Sequence, residues 1–128
     1  MNRENLEKLA DYLEKHEFPT RFDMLTYARS GCDDISFHEL SQHKPCMACA
    51  LGQAALSGLF DTDADTWLSF AAKNFDISMS ERTWLFGGSW SSTDNTPEGC
   101  AKRIRILLDR GLPEDWKEQM YGDALLSY

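Results

Sequence analysis

The run from Cys46 to Phe60 constrains the fold more than any other part of the chain, because it is small and apolar almost throughout and polar, turn-forming sequence flanks it. Such a stretch gains nothing from solvent exposure, so it predicts a buried central helix over about 46–60. At 100° per residue Cys46, Cys49, Gln53 and Ser57 fall on one narrow stripe of that helix. Ala48, Leu51, Gly52, Ala55, Leu56 and Leu59 cover the rest, which requires packing from several sides.

The remaining elements are read around that helix. Leu6, Leu9, Ala10 and Leu13 at i, i+3, i+4, i+7 predict an amphipathic helix over residues 2–16, with Glu4 to Lys8 and Asp11 to Lys15 as i,i+4 pairs. Phe22 to Ala28 reads as a short helix or an extended segment, with the helix preferred, and Ser30 to Asp34 as a turn. Ile35 to Phe37 alternates as a strand would, but no second strand-like run is visible to pair with it, so it is read as loop. Asp61, Thr62 or Asp63 caps a third helix whose apolar face holds Trp67, Leu68, Phe70, Ala71 and Phe75. A fourth helix starts at Ser80 and stops at Gly87 and Gly88.

The clearest boundary lies near the C-terminus. Thr96 is an N-cap, Pro97 takes the first helical position, and Cys100, Ile104, Leu107 and Leu108 form a core stripe with Lys102, Arg103, Arg105 and Asp109 outward. Gly111 stops that helix, and a short one follows from Pro113 through Trp116 to Gly122. The expectation is an all-α single domain over residues 1–128, built from five or six helices, several of them short.

Length and charge narrow the function. A chain of 128 residues can bury a core without needing metals or disulfides. With 13 Lys and Arg against 21 Asp and Glu, its net charge of −8 disfavours nucleic acid and anionic membranes as direct partners. The charged N-terminus lacks the apolar core of a signal peptide, and no apolar run approaches a membrane span. A cytoplasmic protein follows, in which Cys32, Cys46, Cys49 and Cys100 stay reduced as thiols or metal ligands.

Three sets of residues, taken together, resemble a family. They are Cys49 to Gly52; Trp84, Leu85 and Phe86 with Trp90; and Asp94 to Ala101 followed by Arg103 and Ile104. In that order they resemble a family of small uncharacterised proteins found in bacteriophages and bacterial genomes. The likeness runs from the first helix to the segment ending at Trp116. Members tend to carry a Cys-Gly-Thr type segment before the part matching Cys49 to Gly52, where this chain has His43 to Ala48. The resemblance implies a phage or prophage origin and, in an infected cell, the host cytoplasm.

Candidate chemistry is sparse. Cys46 and Cys49 have the spacing of half a zinc site, which Cys32, His38, His43 or Cys100 could complete in the fold. The competing reading is buried thiols acting as small hydrophobes. Cys46 with His43 could also make a thiolate nucleophile, but no orienting third group or oxyanion site accompanies them. Asp33, Asp34 and the acids at 61, 63 and 65 lack the glycine of a calcium loop. Trp90, in a Gly/Ser loop, and Trp116, in a short polar helix, are candidate anchors for a protein partner, against a competing role in pinning loops.

The expected protein is therefore not an enzyme and carries no cofactor. It is a phage-type accessory protein that binds a protein with a basic face, a host or defence component being the expected target, and a homodimer is compatible with this. The alternatives are a zinc or thiol-dependent protein centred on Cys32, His43, Cys46 and Cys49, and a structural interaction module.

Overall fold

The computed structural model describes residues 1–31, 33–40, 42–87, 90 and 95–120. In chain order they form α1 (Arg3–Lys15), β1 (Arg21–Phe22), β2 (Ala28–Ser30), β3 (Asp33–Asp34), a 3-10 turn (Phe37–Glu39), β4 (Met47–Ala48), α2 (Ala50–Leu56), α3 (Trp67–Phe75), α4 (Met79–Phe86) and α5 (Pro97–Arg110). Residues 116–120 are helical as well.

The all-α expectation is overturned. The four strands make one mixed sheet in the order β1-β4-β2-β3, so the fold is α/β. Parallel pairing joins β1 to β4, with Arg21 opposite Met47, and antiparallel pairing joins β2 to both β4 and β3. Each strand has only two or three residues, too few to display a period of two. The ladder is extended by flanking backbone: Cys46 N–H donates to the Arg29 carbonyl (2.7 Å), Asp23 N–H to Ala48 (2.9 Å) and Cys49 N–H to Thr26 (2.9 Å). Gly31, at φ +64°, turns β2 into β3, a conformation glycine adopts without penalty.

These bonds also shorten the central helix. The backbone of 46–49 is committed to strands on both sides, so α2 starts at Ala50 and ends at Leu56, not at 46 and 60. Cys46 is therefore not on the helix, and the stripe drawn from it through Ser57 does not exist as one face. Nor is Phe22 to Ala28 helical: the strand residues Phe22 and Ala28 flank a turn at Met24 and Leu25, with Met24, Thr26 and Ala28 buried and Leu25 and Tyr27 exposed.

Two residues seat α2 on the sheet. Gln53 is fully buried, and its Nε2 lies 3.0, 3.2 and 3.1 Å from the carbonyls of Thr20, Arg21 and Ala48. Gly52 meets the Tyr27 backbone so closely that an added Cβ would sit 1.8 Å from its carbonyl oxygen.

The long helices follow their patterns. α1 buries Leu6, Leu9, Ala10 and Leu13. It packs antiparallel on α5: Arg3 Nη2 donates to the Leu108 carbonyl (2.6 Å), while His16 meets Glu98 (2.6 Å) at the other end. Asp11 and Glu14 reach across to Arg105 at 2.6 and 3.3 Å. α5 has its Thr96 cap, Pro97 start and Gly111 stop where expected.

Four local readings are corrected. α3 is capped by Thr66, in a reciprocal capping box with Ser69, because the acids at 61–63 are held by Lys73 and Asn74 instead. On α3, Leu68 is exposed. α4 is capped by Ser78 with Glu81, two residues before Ser80. Arg103, read as outward, is only 4 % exposed. Its Nη2 donates to the Leu85 carbonyl (3.1 Å) and its guanidinium lies 4.5 Å from the Trp90 ring centre.

Candidate functional site

The segment 24–28, which leads from β1 into β2, forms one wall of a recess of about 600 Å³. A recess of this size falls within the usual range for ligand pockets. Met24, Leu25, Ile35, Trp67 and Phe86 supply its apolar walls, and Thr26, Asp34, Ser36 and Cys49 its polar groups. Each comes from a different constraint. Asp34 is placed by β3, Cys49 by its N-cap position on α2, Trp67 by the first turn of α3 and Phe86 by the last turn of α4.

Trp67 is the fixed wall. Its Nε1 donates to the Ile35 carbonyl (3.2 Å), Phe37 meets it edge-on at 5.1 Å between ring centres, and Tyr27 stacks on it at 5.4 Å and 23°. Burial raises the Tyr27 phenol above its ordinary value, so it is a neutral ring at neutral pH.

Asp34 carries the charge. Its Oδ1 accepts from the Thr26 hydroxyl (2.8 Å) and from Arg29 Nε (3.2 Å), and these bonds hold the carboxyl below the usual aspartate value. Among the described residues no partner meets Oδ2. The Ser36 hydroxyl donates to Glu39 and is thereby turned to the 3-10 turn.

Of the four candidate zinc residues, the three described ones, His43, Cys46 and Cys49, do not form a set. Cys46 is exposed, with its Sγ donating to the Arg29 carbonyl (3.2 Å), whereas Cys49 is buried at the base of the recess. Burial pushes the Cys49 thiol up to about 12, so it lines the recess as a neutral group, not a thiolate. His43 is exposed, 3.8 Å from Glu39. Cys32 lies outside the described residues. Among the described residues no three His, Cys, Asp or Glu are placed to hold a metal ion. Cys100 is buried against the Leu85 carbonyl (3.4 Å), and burial pushes its thiol up to about 11.

The two tryptophans proposed as anchors are both half-buried against the core. Trp90 donates its Nε1 to the Trp84 carbonyl (2.9 Å), packs edge-on against Trp84 at 6.1 Å and faces Arg103. Trp116 has Lys117 Nζ 5.5 Å from its ring centre. Neither lines the recess.

Sequence reasoning missed Leu25, Tyr27 and the place of Trp67 in the recess, and weighed Asp34 only as a cation ligand. Leu25 is 74 % exposed and Tyr27 36 % exposed, and a segment this short, with a turn at Met24 and Leu25, has no periodicity that marks them as exposed. No helix among the described residues is long and apolar enough to cross a membrane. Comparisons with protein-family models, with curated proteins and with solved structures find no match for the chain.

Proposed function

We propose that this is a phage-type accessory protein that works in the host cytoplasm by binding another protein, and that the partner places an apolar side chain in the recess beside Leu25 and Tyr27. One observation carries the reading. Two large apolar side chains, Leu25 and Tyr27, are exposed on the segment leading into β2, next to a recess with a rigid aromatic wall at Trp67. Exposed apolar groups beside a preformed concavity are the usual anatomy of a recognition surface. The net charge of −8 favours a partner with a basic face, which it would also steer towards the protein. The phage origin rests on the motif resemblance around Cys49 to Gly52, Trp84 to Phe86 and Asp94 to Ala101. The neutral thiol of Cys49 favours binding over thiol chemistry.

Affinity capture from bacterial lysate tests the reading, with wild type and Leu25→Glu compared side by side. Because Leu25 is exposed, the substitution should leave the thermal midpoint unchanged while removing the proteins that wild type retains. Retention of the same set by both proteins would refute the recess as the contact surface. Retention of the same set after Trp90→Ala, in a variant that still folds, would separate this site from the Trp90 loop.

A further inference from the structure

Resting on the binding role just proposed, we infer that the recess selects a partner segment in which a large apolar anchor lies next to a lysine, with the lysine ammonium received by Asp34. The apolar part of the inference follows from Met24, Leu25, Ile35 and Trp67, which line the recess with predominantly apolar side chains. The cationic part follows from the geometry of one carboxylate. Asp34 Oδ1 is already shared by Thr26 and Arg29, while Oδ2 has no partner among the described residues, and Asp34, its side chain 72 % exposed, is one of the residues bordering the recess.

A carboxylate with one occupied oxygen offers a single acceptor. A bidentate guanidinium would use both oxygens and displace Thr26 or Arg29 from Oδ1, whereas an ammonium needs only one. Lysine therefore uses the acceptor fully, and the bidentate pairing that gives arginine its advantage is closed here. Asp33 stands exposed beside Asp34 on β3 and adds to the negative potential there. Arg29 offsets part of that potential, but its Nε is engaged on the Oδ1 side. Arg82, which lies near enough to act on the Tyr27 phenol, is the other basic group bordering the site, so the lysine must approach from the β3 side.

Short blocked peptides test this without knowing the partner. Ac-Trp-Lys-NH2 and Ac-Lys-Trp-NH2, with their glutamate counterparts, are titrated into the ¹⁵N-labelled full chain while the Trp67 indole N–H and the Asp34 amide are followed. The lysine peptides should bind roughly fivefold more tightly than the glutamate peptides, the upper end for one exposed charge pair. That preference should vanish in Asp34→Asn and in 1 M salt. The salt arm needs no variant and so stands even if Asp34→Asn unfolds the hairpin. Equal shifts by lysine and glutamate peptides would overturn the lysine inference and leave the apolar recess standing. No shift of Trp67 by any of the four would overturn both.

Discussion

Replacing Gly52 by alanine tests whether α2 is pressed onto the Tyr27 backbone as tightly as the structure shows. In an isolated helix this change stabilises by about 1 kcal/mol. Here the new Cβ would lie 1.8 Å from the Tyr27 carbonyl oxygen and 2.7 Å from the Ala48 Cβ. Restoring ordinary contact requires the oxygen to retreat by about 1.5 Å, in an interior packed at crystal-like density. That oxygen cannot move alone, because the next residue, Ala28, pairs with Ala48 in the sheet and the previous one, Thr26, accepts from Cys49 N–H. Overpacking costs about 1–3 kcal/mol, and weakening two ladder hydrogen bonds adds about 1 kcal/mol each. Against the propensity gain, Gly52→Ala should destabilise by about 2–4 kcal/mol. For a chain of this size that is a fall of roughly 10 °C in the midpoint of a calorimetric melt. A midpoint equal to or above wild type would refute the close approach of α2 to Tyr27, and with it the position of one wall of the recess.

Three further outcomes follow from the same contacts. Gln53→Met removes the amide that binds Thr20, Arg21 and Ala48, and should cost about 2–4 kcal/mol in urea unfolding, since buried carbonyls lose their donors. Arg103→Lys keeps the charge but loses the planar stack on Trp90, and should cost about 1–2 kcal/mol with a change in tryptophan emission. In a Cys32→Ser background, a thiol reagent at pH 8 should modify Cys46 at once, and Cys49 and Cys100 only on unfolding. The unfolded thiols ionise from pH 9.0, but the buried ones hold their protons to about 12 and about 11. The contribution of both to stability is therefore complete below pH 9.0 and is lost as pH rises through that window, which equilibrium unfolding between pH 8 and 10 will detect.

The parts of the fold that could be read from the chain are those where many residues repeat one message. α1 shows four apolar positions at helical spacing, and α5 adds a cap, an N1 proline and a stop glycine. The sheet repeats nothing: Met47 and Ala48 look like the start of an apolar helix, and only their bonds to Arg29, Asp23 and Thr26 make them a strand. Long-range pairing of that kind leaves no local trace. Arg103 was read outward because charge usually is, and its burial depends on a stacked indole from outside the helix. The recess stayed hidden for a related reason. Tyr27 and Asp34 come together with Cys49 and Trp67 only through the fold, whereas Trp90 stands out locally as an aromatic in a Gly/Ser stretch.

The antiparallel pairing of α1 with α5 has a bearing on how the protein is made. Its closing contacts join residues 82 to 105 positions apart, so the apolar stripe of Leu6, Leu9, Ala10 and Leu13 leaves the ribosome long before the surface that covers it exists. At typical elongation rates the roughly eighty residues between the two helices take about 4–16 seconds to synthesise. During that interval the first helix is a nascent amphipathic segment without its partner, and the yield of native protein depends on what shields it until translation reaches Pro97 and beyond.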